Sequence, residues 1–267
     1  MNVREWWAAR SGAGAGAVGR TSGRPPSANG ASSFHLGWGL SDPCHGVSVT
    51  LEVLEAPRVP RLYFWALQAD VGSGAARAGG AHLGLQWHPQ HPGSTAVNWG
   101  GYRATGGELH GSDSSLRSAT GNPNTRDLAW RPGRPYRLTI AAAKSSGIAA
   151  PPAGHTAWRG SVQDLTNGDM VVVRDLYMTG DRIVGATMWS EVFARCDDPP
   201  AAVRWSDPVA HGDTGDRGIE RLSVNYQSHR DGGCANTSSW LDGVGAVQRT
   251  NTERGTAQGT QLRLPGG

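Results

Sequence analysis

Lysine, cysteine and long apolar runs are what these 267 residues lack. Lys144 is the sole lysine among 25 basic residues, a skew that codon usage explains better than a need for guanidinium at every site. Cys44, Cys196 and Cys234 are too few, and odd in number, for a disulfide framework, and no Cys-x-x-Cys pair marks a zinc ribbon. Buried free thiols are the leading expectation; if one bridge forms, Cys196–Cys234 fits best because both lie at the ends of apparent strands. No apolar run nears the roughly 18 residues that cross a bilayer, so no membrane partner is expected. Trp6 and Trp7 followed by a Gly/Ala run do not read as a leader peptide, which makes a cytoplasmic location the default expectation. There is no Gly-x-Ser-x-Gly elbow, no phosphate-binding loop and no strand followed by a Gly-rich turn and helix. Nor does any stretch of twelve residues carry a helical stripe with caps.

What remains is a strand-and-turn sequence with 39 Gly and 16 Pro. Residues 1–33 are rich in Gly, Ala, Ser, Arg and Pro and read as a flexible basic tail. That tail carries Arg4, Arg10, Arg20 and Arg24 against Glu5, a charge of +3 that equals the net charge of the whole chain. The domain at 34–267 is therefore formally neutral, which speaks against a nucleic-acid partner. Strands are expected at 34–40, 47–55, 61–70, 81–88, 95–102, 136–143, 155–164, 170–177, 182–195, 202–206, 220–228 and 245–251, with a long loop between 103 and 134. So many short alternating strands suit an all-β, antiparallel two-sheet sandwich or jelly roll.

Alternation sorts the faces. Leu83, Leu85 and Trp87 oppose His82, Gly84, Gln86 and His88. Val97 and Trp99 oppose Asn98 and Tyr102, and Leu222, Val224 and Tyr226 oppose Ser223, Asn225 and Gln227. In 182–195, Met188, Val192 and Ala194 oppose Trp189, Glu191, Phe193 and Arg195. If these strands share a sheet, one face is lined by amides, aromatics and a few charges. Such a face suits sugar recognition, because amides bond vicinal hydroxyls and aromatic rings stack on pyranoses. The leading expectation is glycan binding through Gln86, His88, Asn98, Tyr102, Trp189 and Arg195. The alternative is a carbohydrate-active hydrolase or lyase using Glu191, whose place in an apolar strand would raise its pKa. A pair with Arg195 is the plainer role for Glu191. A third reading is an interaction protein docking through the tail with Trp6 and Trp7.

No metal is expected. His88 and His91 lack further ligands nearby, and the Gly212–Gly218 loop lacks the closing Glu of a calcium site, so an Asp/Gly turn outweighs calcium there. Asn236-Thr237-Ser238 fits a glycosylation sequon.

Four segments resemble a bacterial family known as a domain of unknown function, DUF3472. They are His82-Leu83-Gly84-Leu85-Gln86-Trp87, Trp130-Arg131-Pro132-Gly133-Arg134-Pro135-Tyr136-Arg137, His155-Thr156-Ala157-Trp158-Arg159-Gly160 and Trp189-Ser190-Glu191-Val192-Phe193. They span residues 82–193, less than half of the chain. The resemblance implies a β-sandwich of the kind found beside carbohydrate-related modules, and it brings no catalytic residues.

Overall fold

The computed structural model describes residues 20–74, 76–143 and 150–264. Sixteen strands follow in order: β1 Ser32–Trp38, β2 Gly46–Glu55, β3 Tyr63–Ser73, β4 Ala76–Trp87, β5 Thr95–Arg103, β6 Thr125–Asp127, β7 Pro135–Ala142, β8 Thr156–Asp164, β9 Met170–Met178, β10 Arg182–Val192, β11 Ala202–Gly212, β12 Gly215–Gly218, β13 Arg221–Tyr226, β14 Thr237–Leu241, β15 Ala246–Thr250 and β16 Gln261–Arg263. They form two antiparallel sheets. The first runs β16-β13-β1-β10-β3-β4-β5-β6, and the second runs β14-β15-β11-β2-β7-β8-β9 with β12 beside β11. The expected two-sheet sandwich is what forms.

Alternation decides what lies between the sheets. Leu36, Trp65, Leu67, Leu83, Leu85, Trp99 and Met188 from the first sheet meet Val47, Val49, Leu51, Leu138, Trp158 and Trp205 from the second, all essentially without solvent contact. Burying each such side chain contributes about 1.5–3 kcal/mol. One buried amide spans the gap with its polar atoms satisfied. Gln248 Oε1 accepts from Ser190 Oγ and Trp205 Nε1 at 2.9 Å each, and its Nε2 donates to the carbonyl of Phe34 at 2.9 Å. Gly160 is required by packing, since a Cβ there would lie 2.7 Å from the ring of Trp99.

Two expectations change at the N-terminus and in the long loop. The part of the expected tail at 1–19, with Trp6 and Trp7, lies outside the described residues. From residue 20 onward the segment is held on the domain before β1 begins. Cys196 N–H donates to the Gly23 carbonyl at 2.8 Å, Thr21 Oγ1 donates to Asn236 Oδ1 at 2.7 Å, and Pro25 is buried. Residues 104–134 are likewise tied down. They contribute β6, and Trp130 enters the core with its Nε1 shared between the carbonyls of Gln86 and Ala96 at 3.2 Å each. Cys196 and Cys234 form a disulfide, while Cys44 is a buried free thiol.

Candidate functional site

The outward face of the first sheet carries most of the residues singled out from the sequence. Its strand order places β3 between β10 and β4, so the polar strands are neighbours once β3 is added. Register sets the rows. Ser33, Glu191, Phe64, Gln86, Ala96 and Asp127 lie side by side across the strands. Beside them run Asn225, His35, Trp189, Ala66, Gly84 and Asn98, and then Gly37, Thr187, Gln68, His82 and Gly100.

The middle of this face is floored by small residues. A Cβ on Gly84 would lie 1.9 Å from the Trp65 carbonyl oxygen, so only glycine fits there. Above that floor three rings meet edge to face. Phe64 and Trp189 centroids are 4.8 Å apart, Phe64 and His82 5.6 Å, and His82 and Trp189 5.7 Å. These spacings match favourable aromatic pairs. Together with Ala66, Phe64 and Trp189 form a second small apolar cluster outside the main core. His82 is half-buried among the rings of Phe64, Trp189 and Tyr102, and burial pushes its imidazole pKa down to about 4.

Glu191 stands at one end of the cluster. Asn29 Nδ2 donates to its Oε1 at 3.0 Å, and no hydrogen bond holds the other oxygen among the described residues. Burial pushes its carboxyl above the ordinary range, and the Asn29 amide pulls it only partway back. Asn29 is itself oriented: its Oδ1 accepts from Ala31 N–H and from Ser27 Oγ, both at 3.1 Å, which aims the NH2 group at Glu191. Tyr102 lies across the face from Glu191. Its phenol pKa is raised by burial first, and then by the fields of Glu108 and Glu191. Two other carboxylates along this face are held by hydrogen bonds. Asp70 accepts from Arg77 Nη2 at 2.8 Å and Gln68 Nε2 at 3.1 Å, and Asp127 accepts from His91 Nδ1 at 2.6 Å.

Several expected contacts fall elsewhere. Arg195 does not pair with Glu191, because the strand ends at Val192 and the chain turns; Arg195 pairs with Asp197 instead, Nε to Oδ1 at 3.1 Å. His88 lies past the end of β4 with its ring 4.6 Å from that of His91. Gln86 and Asn98 do face outward, but both are buried, and Asn98 Nδ2 is bonded to Thr125 Oγ1 at 2.8 Å. Trp189 is 6 % exposed and packed edge-on, so it presents no open ring face on which a sugar could stack. The sequon Asn236 is buried with its Nδ2 on the Cys196 carbonyl, out of reach of glycosylation in the folded chain. The Gly212–Gly218 loop is the β11–β12 hairpin. Among the described residues no group of three or more His, Cys, Asp or Glu is placed to hold a metal ion.

Sequence reasoning missed Phe64, Gln68, Asp70 and Asn29. The first three sit on β3, whose unbroken run Phe64-Trp65-Ala66-Leu67 hides the alternation; Gln68 and Asp70 two residues apart were its outward signal. Asn29 lay within the expected tail. A serine–histidine–aspartate array on the other sheet was also missed. Ser48 Oγ is 2.8 Å from His211 Nε2, and His211 Nδ1 is 2.8 Å from Asp216 Oδ1. Arg137 Nη2 donates to Ser48 Oγ at 2.7 Å, and Ser48 is only 1 % exposed, so its hydroxyl is not open to a substrate.

No family model matches this chain, and no curated protein matches it. Among solved structures it is similar to scytalido-glutamic peptidase bound to a peptide-based transition-state analog, at 12% identity and a TM-score of 0.44. It is also similar to the same peptidase with a transition-state analog inhibitor, and to SCP-B, a member of the Eqolisin family of peptidases, in complex with the tripeptide Ala-Ile-His. Both of these are at 12% identity and a TM-score of 0.41. Each alignment covers 87% of this chain and 98% of the other. Likenesses this distant add nothing to what the geometry says about function.

Proposed function

We propose that this protein is a hydrolase of amide bonds, acting on peptides, with Glu191 carrying the proton. The observation behind this is that Glu191, unlike Asp70 with Arg77 and Asp127 with His91, has neither an arginine nor a histidine partner among the described residues, with one oxygen oriented by Asn29 and the other free of hydrogen bonds from them. Amide hydrolysis needs just one such group. The carboxylate takes a proton from water as the water oxygen bonds to the carbonyl carbon. The resulting acid then gives that proton to the departing nitrogen as the C–N bond breaks. A pKa raised by burial brings the group nearer the pH at which it must both accept and release a proton. The Tyr102 hydroxyl and the neutral His82 ring are the donors that would face the developing oxyanion.

Glycoside hydrolysis instead needs two carboxyl groups about 5–9.5 Å apart. Across the sheet Asp127 is about 19 Å from Glu191 at the usual strand spacing, and Asp70 is about 20 Å along β3. Glu108 is the carboxylate that would support a carbohydrate-active enzyme, since its field and that of Glu191 both reach Tyr102. That second reading keeps the notion of a glycan substrate on this face.

Digestion of a mixed peptide library between pH 3 and 7, read by mass spectrometry, tests the proposal. Cleavage by the wild type and its loss in a folded Glu191→Gln variant is the expected result. Folded wild-type protein that cleaves no peptide, or equal cleavage by the variant, would overturn it. Release of reducing ends from polysaccharides, lost in both Glu191→Gln and Glu108→Gln, would favour the glycoside reading.

A further inference from the structure

A buried guanidinium without a counter-ion among the described residues stands at the side of the sandwich where β6 ends the first sheet and β9 the second. Arg174, in the bulged stretch of β9 opposite Gly160, is 5 % exposed and forms no ion pair among the described residues. Its Nη2 donates to Asn124 Oδ1 at 2.5 Å, and among the described residues its buried Nε has no partner and no hydrogen bond holds its Nη1. Arg126 lies on β6 two residues from Asn124, the residue that Arg174 bonds, and its charge acts on Arg174. Its Nε is also buried and unpartnered, and its Nη1 makes only a long 3.5 Å contact to the Leu116 carbonyl. Burial and the charge of Arg126 both lower the Arg174 pKa, while Glu108 and Asp113 act against this through their fields without pairing with it.

The surroundings hold the two groups in place. Residues 110–114 lie along the free edge of β9: Tyr177 N–H donates to the His110 carbonyl at 2.9 Å, Ser112 N–H to the Asp175 carbonyl at 2.8 Å, and Ser114 Oγ to the Val173 carbonyl. Asn124, which bonds Arg174, also donates from its Nδ2 to Glu108 at 3.3 Å, so its amide is fixed at both ends. Two like charges brought together with donors unused and little solvent are costly unless an anion joins them. Guanidinium nitrogens in this state match the oxygens of a carboxylate or phosphate.

We propose that Arg174 and Arg126 form a binding site for a small oxyanion, a carboxylate or phosphate group, at the edge between the two sheets. Glu191 takes no part in it, so the site stands or falls apart from the hydrolase reading. Thermal unfolding at fixed pH and ionic strength, with chloride exchanged for about 10 mM phosphate or acetate, tests it. The expected result is a rise in Tm of about 3 °C or more with the anion that fits, phosphate and acetate distinguishing the two chemistries. Arg174→Met should lose that response, while Arg195→Met, on the exposed Asp197 pair, should keep it. No shift with either anion, or a full shift in Arg174→Met, would overturn the site. If Arg174→Met does not fold, Arg126→Gln serves instead, and a full response in that variant overturns the site equally.

Discussion

The two outward faces of the sandwich arise from the same alternation but treat polar groups in opposite ways. On the outward side of the second sheet several charges are paired where they lie. Arg204 bridges Glu52 and Asp242 at 2.7 Å each, Arg159 grips Asp175 with two nitrogens at 2.8 and 2.9 Å, and Arg137, Ser48, His211 and Asp216 form a chain of hydrogen bonds. On the first sheet the corresponding area has aromatic rings over glycine and alanine, a carboxyl with no cation, and buried atoms left without partners at Gln86 Oε1, Asn98 Oδ1 and Trp189 Nε1. A better-paired face favours one rigid arrangement, whereas an under-paired face stores capacity for a ligand or a reaction. Strand pattern alone does not separate the two; the difference lies in which residues find partners across the sheet.

Substitutions can break or sharpen this contrast. The largest effect is expected on the paired face. Arg159→Met strands the Asp175 carboxylate, whose side chain is only 3% exposed, and should cost about 3–5 kcal/mol in chemical denaturation. A loss under 1 kcal/mol would mean that pairing there is not what sets the faces apart.

On the open face, His82 ties stability to acidity. Its folded pKa of about 4 lies below the unfolded value, so the folded state binds fewer protons between them, and stability is lost as pH falls from about 6.5 to 4. His82→Phe should remove that component, worth about 3–4 kcal/mol at most by the size of the shift, and flatten the profile of Tm against pH in this window.

Glu191→Gln acts with the opposite sign. A carboxyl raised in the folded state weakens stability as pH climbs through its unfolded and then its folded pKa. The variant should therefore be as stable as the wild type near pH 4 and slightly more stable, by about 1 kcal/mol, at pH 7. Lower stability of the variant at pH 7 would mean that the charged form is supported by contacts on this face.

Asn29→Ala should change stability least, since Asn29 is exposed, yet it removes the group that pulls the Glu191 pKa down. NMR titration of the Glu191 side chain should show a further upward shift, and an unchanged titration would show that the amide does not tune it.

The fold was legible because its signals are local. Alternation in 81–88, 95–102 and 221–228 marked both the strands and the side that each turns to the core. The face itself was half legible. Glu191, Tyr102 and Trp189 belong to it, but β3 has apolar residues on both sides of its first half, so alternation could not show that it lies between β4 and β10. Arg195 was misplaced because parity was carried past Val192, where the strand stops. Pairing across long sequence separations, such as Asn29 with Glu191 or Arg174 with Asn124, leaves no local trace at all.

The disulfide between Cys196 and Cys234 gives this face a link to redox conditions. The segment that carries Asn29 is fastened at both half-cystines: Cys196 N–H holds the Gly23 carbonyl, and Cys234 N–H holds Ser32 Oγ at 2.9 Å. Next to the second, Ala235 N–H holds Thr21 Oγ1 at 2.9 Å. A bridge of this kind persists where thiols are oxidised. Dithiothreitol should therefore imitate the loss of Asn29, loosening the strap and letting the proton affinity of Glu191 rise, so that the oxidation state of the surroundings sets the acidity of a carboxyl neither sulfur touches.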